Sequence, residues 1–576
     1  MKHKQRRYIY IYLLIFLVAF FVLTPMIVPR TWPVSHEGTR YIILLDYFKD
    51  AVSKGVLYPR WLPDAYGGYG YPLFLFYQPG LFFAALPFYF LPGCPLYSMY
   101  IFLIFLFFAG GVGAYKLCKE LSGHLTGLVC SILFLLTPYL YVNLYVRGDL
   151  SELMAMLLCP WPVFFLVMLK KRIQQGSQLL WSTFGIAFSV VMIIISHPAV
   201  SMFFLVIFSI IAIYFSLDMG GLRIAFLSRA AVSVMLGAIL SSPYWFTIFQ
   251  MKNYVNLEPA FSGSYYSAEL HTVYPLQLFS RFWGFGPSNI NTPADGMSFQ
   301  LGLPHFILAT AGFFFGRKKR IIQVSYALYI AFIFLMTQAA SALWKEFLFL
   351  RYVQFPWRIL SVTALLQVIC ISGLKKIIPA GMPIRRAVII ISALLGVVAL
   401  WHSNQFQISK GIDACRELRL DREHRLERFQ TYSVLSEFIP KTALGKRIAL
   451  PRGDNPMLVL NPPGEIKEIK GNSKYRIRYQ INCEVPTDVL INQVYMPGWR
   501  VIVDGEDIPA SELERHLTID GRMQFSLLPR EEIIVQAFYD GPPGWRVRNL
   551  LIGVIFLGFA VFCCYDRRQG KTTASR

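Results

Sequence analysis

About twelve apolar runs follow one another along this chain, each close to the ~20 residues that cross a bilayer as a helix. They lie at 8–28, 97–116, 125–143, 151–169, 179–196, 199–216, 226–249, 299–315, 321–340, 356–374, 386–402 and 547–565. A chain of 576 residues that is 55% hydrophobic and 16% aromatic exceeds the apolar share of soluble domains. The expected fold class is a polytopic α-helical membrane protein of about 12 spans.

The net charge of +22 does not point to nucleic acid. The polar stretch 403–545 carries near-equal numbers of acidic and basic residues, so the excess lies among the apolar runs. There the basic residues cluster in short loops, as expected of cytoplasmic loops. Lys2 to Arg7, Lys116 and Lys119, Lys170 to Arg172, Arg223, Arg317 to Arg320, Lys375 and Lys376 with Arg385 and Arg386, and Arg567 and Arg568 then share one side. Both termini are expected to be cytoplasmic. The first run lacks a small-residue cleavage site and reads as an uncleaved helix. The nine cysteines form no CxxC pair, so no zinc or disulfide framework is visible.

This topology closes only if 73–92 is not a full span. Pro79, Pro87 and Pro92 interrupt it, and proline removes a helical hydrogen bond. It is expected to be interfacial or re-entrant. The polar signals then fall outside: the loop 29–96, Arg147-Gly-Asp149-Leu-Ser-Glu152, His197, the loop 250–298, Phe355-Pro-Trp-Arg358 and the region 403–545. Three parts are expected: a transmembrane domain over 1–402, an extracytoplasmic mixed domain over 403–545, and a last helix with a basic tail over 546–576. Within the mixed domain, 411–439 reads as helix. The alternation at 475–481, 489–495, 499–503 and 533–539, with turns at Pro497-Gly498 and Asp504-Gly505, reads as a small β-sandwich.

Intramembrane and helix-end charges tend to mark function. Glu37, beside His36 and near Arg40, is a candidate general base on a hydroxyl. It could equally pair with Arg40 or cap the following helix. Arg60, Arg147, Arg281, Arg351 and Arg358 are spread through the outer segments; guanidinium binds phosphate bidentately. Arg147 and Arg358 stand in the denser motifs, with Asp149, Glu152 and His197 as supporting residues. Trp61 and Tyr77 read with their neighbours as an aromatic belt. No metal site is expected; Asp46 with Glu37 leaves a divalent cation open without support.

Gly55-Val-Leu-Tyr-Pro-Arg60-Trp61, Gly68-Tyr-Gly70-Tyr-Pro72-Leu-Phe-Leu-Phe-Tyr77, Tyr145-Val-Arg147-Gly-Asp-Leu-Ser-Glu152, Phe355-Pro-Trp-Arg358 and Tyr495-Met-Pro-Gly-Trp499-Arg-Val-Ile-Val-Asp504-Gly505 together resemble the YfhO-like branch of the GT-C glycosyltransferase superfamily. Some members carry the label "6-pyruvoyl-tetrahydropterin synthase-related membrane protein". The resemblance covers nearly the whole chain. It implies a GT-C-like fold in the bacterial plasma (inner) membrane and inverting sugar transfer on the outer face. The donor would be a polyprenyl-phosphate-linked sugar, the acceptor a glycan, lipid or protein of the cell envelope, with membrane lipids as surroundings, no nucleic acid and no cofactor. It also implies an acidic base in the first loop. Glu37 stands where the family's aspartate is expected, and Arg40-Tyr41 where a histidine is usual. Arg147, Arg358 and Arg60 would bind the donor phosphate. A transporter or flippase, and a non-catalytic scaffold for envelope polysaccharide assembly, are the alternatives.

Overall fold

The computed structural model describes residues 2–91, 95–257, 265–376, 389, 393, 396–398, 400–412, 438–443 and 457–558. Among the described residues, six helices are long and apolar enough to cross a membrane: Arg6–Ile27, Leu96–Ser122, Leu150–Gln174, Pro198–Ser216, Gly220–Leu240 and Pro356–Lys375. A seventh span results if His124–Leu135 and Pro138–Arg147, bent by 40°, are one broken span.

The full expectation of about 12 is not confirmed. Leu180–Ser196, Leu303–Gly316 and Arg320–Met336 are apolar, but have only 17, 14 and 17 residues. At 1.5 Å per residue they reach roughly 21–26 Å, short of the ~30 Å hydrocarbon core. The reason is local: Leu303–Gly316 starts only after Gly302, whose φ is 84°, and Arg320–Met336 stops at the extended Thr337. The expected span 386–402 lies largely outside the described residues, as do the end of 547–565 and most of the helix expected over 411–439.

Pro356–Lys375 is the innermost helix, with 94% of its apolar window enclosed by protein. An all-round apolar sequence needs such a surrounding. The first helix α1, Lys2–Ile27, is peripheral by contrast and leaves Ile9, Tyr10, Leu17 and Phe21 exposed. The segment 73–92 forms two short pieces, Leu73–Phe76 and Gly80–Tyr89. The longer has 10 residues, roughly 15 Å, which is half a bilayer core.

The C-terminal region forms two antiparallel sheets. The five-stranded sheet runs Glu465–Glu468, Ile477–Cys483, Arg530–Tyr539, Trp499–Val503, Glu506–Asp507; the three-stranded sheet runs Leu458–Asn461, Thr487–Val494, Arg522–Leu527. Inward residues alternate along Ile477–Cys483 as the pleat requires. The turn at Asp504-Gly505 has positive φ at both residues, 48° and 92°, the geometry of a tight hairpin. The core between the sheets also takes in Trp61, Tyr69, Leu75 and Phe76 from the first loop.

That loop is fixed at its other end as well. Trp32–Pro33 pairs with Gly411–Ile412, and the backbone N–H groups of His36 and Glu37 donate to the carbonyls of Val146 and Arg147 at 3.0 and 2.8 Å. Those carbonyls end a helix and have no helical partner of their own. Gly38 then lies against Gly148, close enough that a Cβ on Gly148 would sit 2.3 Å from the Gly38 nitrogen. Gly148 also holds φ 66°.

Gly148→Ala is therefore expected to cost about 2–4 kcal/mol, from left-handed backbone and overpacking combined. Thermal unfolding of the purified protein in detergent should show a lowered midpoint.

Candidate functional site

The site grows out of one six-residue bend. A π-helical turn, Val142–Arg147, ends at left-handed Gly148, and single π-turns inside helices recur at functional sites. Asp149 caps the next helix, Leu150–Leu158, its Oδ1 accepting from the Glu152 N–H at 3.0 Å. Arg147, Asp149 and Glu152 are thereby brought to one place. Arg147 Nη2 donates to Asp149 Oδ2 at 2.9 Å, and Nη1 to Glu152 Oε2 at 2.6 Å.

All three are buried, Glu152 completely. Burying unpaired charge is costly, and a buried ion pair persists only when its remaining polar sites are also filled. Glu152 Oε1 accepts the hydroxyls of Tyr139 and Ser361, each at 2.7 Å. Arg147 Nη1 also reaches Tyr139 Oη at 3.1 Å and Asn143 Oδ1 at 2.5 Å, and the guanidinium lies 4.7 Å from the Trp357 ring. Arg358 Nε comes within 3.4 Å of Glu152 Oε2. Two guanidinium groups thus face two carboxylates. Burial opposes ionisation of Asp149, but the guanidinium groups of Arg147 and Arg358 outweigh it and hold the carboxyl below its ordinary range.

His197 sits at the break between Leu180–Ser196 and Pro198–Ser216. Its Nδ1 accepts the Val200 N–H at 3.3 Å. In the neutral ring the proton is then on Nε2, which faces Glu152 and Asp149 at 3.7 and 3.9 Å. Burial pushes the ring toward neutrality against the pull of the two carboxylates.

Among the described residues, Asp149, Glu152 and His197 are the grouping close enough to hold a metal ion, their ligand atoms lying within 4.8 Å of one another. The donor set does not fit one. Arg147 takes an oxygen of each carboxylate, and Nε2 of His197 carries a proton where a metal needs a lone pair.

The first loop meets this cluster through tyrosines. Tyr41 donates to Asp149 Oδ1 at 3.1 Å. Tyr77 Oη lies 3.0 Å from Tyr41 Oη and 3.4 Å from Glu37 Oε2. Glu37 occupies the N-cap position of helix α2, Gly38–Ser53, yet its side chain makes no cap bond. It pairs instead with Arg40 at 3.5 Å and is 35% exposed, against 5% for Asp149 and none for Glu152.

Other residues singled out in the sequence stand elsewhere. His36 is exposed, its Nε2 3.1 Å from the Phe285 carbonyl. Arg60 stacks on Tyr58 and Trp545. Trp61 donates to Gln493 Oε1 at 2.6 Å in the β-domain core. Asp46 accepts from Tyr89 at 3.3 Å. Arg281 and Arg351 hold backbone carbonyls, of Leu400 and Trp401 and of Lys345. Tyr139, Asn143 and Ser361 were not anticipated. Tyr41 was noted only as standing where a histidine is usual; its tie to Asp149 is seen in the structure.

No family model matches the chain, and no curated protein does. Among solved structures it is similar to the Archaeoglobus fulgidus oligosaccharyltransferase tethered to an acceptor peptide, with a TM-score of 0.42 and 13% identity over 73% of this chain and 58% of that one. The apo form of the same enzyme gives 0.44 and 13% over 74% and 60%. The chain thus spans less than two thirds of that protein's length.

Arg147→Met leaves two buried carboxylates short of a cation and should cost about 3–5 kcal/mol. A large drop in the thermal unfolding midpoint, or loss of monodisperse protein in detergent, is the expected result.

Proposed function

We propose that this protein is an inverting membrane glycosyltransferase of the GT-C type. It moves a sugar from a polyprenyl phosphate to a hydroxyl of an envelope glycan or other acceptor on the outer face of the bacterial plasma membrane. The observation that carries this is the state of Glu37. Of the three carboxylates in the network, it alone is open to solvent, and no helix cap or buried ion pair consumes it.

In the proposed reaction Glu37 takes the proton of the acceptor hydroxyl as the oxygen attacks the anomeric carbon. The bond from that carbon to the phosphate oxygen breaks, and polyprenyl phosphate leaves with its electron pair. A single displacement inverts the anomeric centre. A positioned base of this kind contributes typically ~10²–10⁴-fold.

The leaving phosphate needs fixed positive charge. Arg358 suits this role best, because its side chain keeps 13% exposure and only Nε faces Glu152. Its Nη1 donates to the Val353 carbonyl and to Gln354 Oε1 at 2.9 and 2.8 Å, which aims the fork. Arg40 adds a second cation beside the base. Arg147 serves from behind: its donors are taken by Tyr139, Asn143, Asp149 and Glu152, so it fixes the bend against which Glu37 is held. His197 orients Asp149 and Glu152 in the same way. His36, Arg60 and Trp61 shape the first loop rather than touch the phosphate.

Glu37→Gln keeps the shape and removes the base. The variant is expected to reach the membrane at normal level and to lose sugar transfer by at least about 10²-fold. Mass spectrometry of envelope glycans and lipid-linked sugars in a complemented deletion strain reads this out, with the donor lipid accumulating. Undiminished product in that variant would sink the assignment.

A further inference from the structure

The β-domain touches neither Glu37 nor the buried ion cluster through any described contact, yet it grips both elements that place Glu37. Gln493, on strand Thr487–Val494, is fully buried. Its amide nitrogen donates to the carbonyls of Pro63 and Gly68 at 3.2 and 3.0 Å, and its oxygen accepts the Trp61 indole. The Val494 N–H donates to the Tyr69 carbonyl at 2.7 Å. Gly70 completes the turn at φ 90°, where a Cβ would lie 2.4 Å from Gln493 Oε1. The chain then runs through Leu75 and Phe76, both in the β-domain core, straight into Tyr77.

The second grip is ionic. Lys474, just before strand Ile477–Cys483, reaches Asp64 of the first loop at 2.5 Å and Asp50 of α2 at 2.8 Å. Tyr475 donates to the same Asp50 oxygen at 3.1 Å. Burial raises the Asp50 carboxyl, but the hydrogen bonds from Lys474 and Lys54 outweigh it and hold it below its ordinary value. Asp50 lies in the last turn of the helix whose N-cap is Glu37.

We propose that Lys474 and Gln493 are positioning residues for Glu37, acting through α2 on one side and through the Trp61–Tyr77 segment on the other. This deepens, and rests on, the proposed glycosyl transfer. The β-domain is then a fixed wall of the catalytic region. A separately moving acceptor-gathering module would not need its core filled by the first loop.

Full-length wild type, Lys474→Met, Lys474→Arg and Gln493→Leu are compared by hydrogen–deuterium exchange of residues 38–77 in detergent. The same alleles are scored by envelope-glycan mass spectrometry in the deletion strain. Lys474→Met and Gln493→Leu should speed exchange in the loop by about tenfold, the effect of losing one charged or buried hydrogen bond. Product should fall in parallel, and Lys474→Arg should restore both. Unchanged exchange overturns the clamp, and faster exchange with undiminished product overturns positioning. If Gln493→Leu fails to fold, the partly exposed Lys474 still decides. If wild type makes no product, glycosyl transfer fails as the function, while the exchange experiment still judges the clamp.

Discussion

The guanidinium of Arg147 is the charge around which this structure is arranged. It lies 6% exposed inside an apolar bundle, where charge is tolerated only with close, well-aligned partners. Its own partners are local: Tyr139 and Asn143 precede Arg147 on its own helix, and Asp149 and Glu152 follow it. Through Glu152 the network then takes in Ser361 and Arg358 from the innermost helix. His197 closes the remaining side. Neutralising one cation therefore fixes the mutual position of those helices. Apolar contacts alone do so weakly, because lipid is as apolar as the helices.

The same cluster sets where the first loop can lie. The loop supplies N–H groups to the carbonyls that end the π-turn, and two glycines let the backbones touch. Tyr41 then ties the loop to Asp149. Glu37 ends up beside a rigid, electrically balanced floor rather than within it. That separation is chemically useful: Asp149 and Glu152 are enclosed and held by several hydrogen bonds, while Glu37, paired only with Arg40 and 35% exposed, can be reached by an incoming hydroxyl. From the other side the β-domain holds the same loop by its own core.

Much of this was legible in the sequence, and the failures have physical causes. The alternation in Ile477–Cys483 and the hairpin glycine at 505 announced the sheets, because one face of each strand is buried. The Arg-Gly-Asp-x-x-Glu pattern stood out as a dense polar motif beside apolar runs. What it could not show was how Glu152 is satisfied, since Ser361 lies 209 residues from Glu152 along the chain and serine is unremarkable in any sequence. Some of the expected spans are not confirmed, because hydropathy runs on past the ends of helices. Residues 299–302 fall within the expected span 299–315, yet the helix begins only after the positive-φ Gly302. Trp61 read as an interfacial aromatic because nothing local reveals Gln493 as its partner.

The central claim is that donor phosphate and Glu37 meet at the rim of the Arg147 cluster. A cryo-electron microscopy structure of the full chain with an added polyprenyl phosphate tests it most directly. The account predicts the phosphate against Arg358 or Arg40, one sugar ring away from Glu37, with the Arg147 to Glu152 pairing unchanged. A phosphate bound only at the basic loops, such as Arg317 to Arg320, or one that draws Arg147 away from its carboxylates, would contradict it.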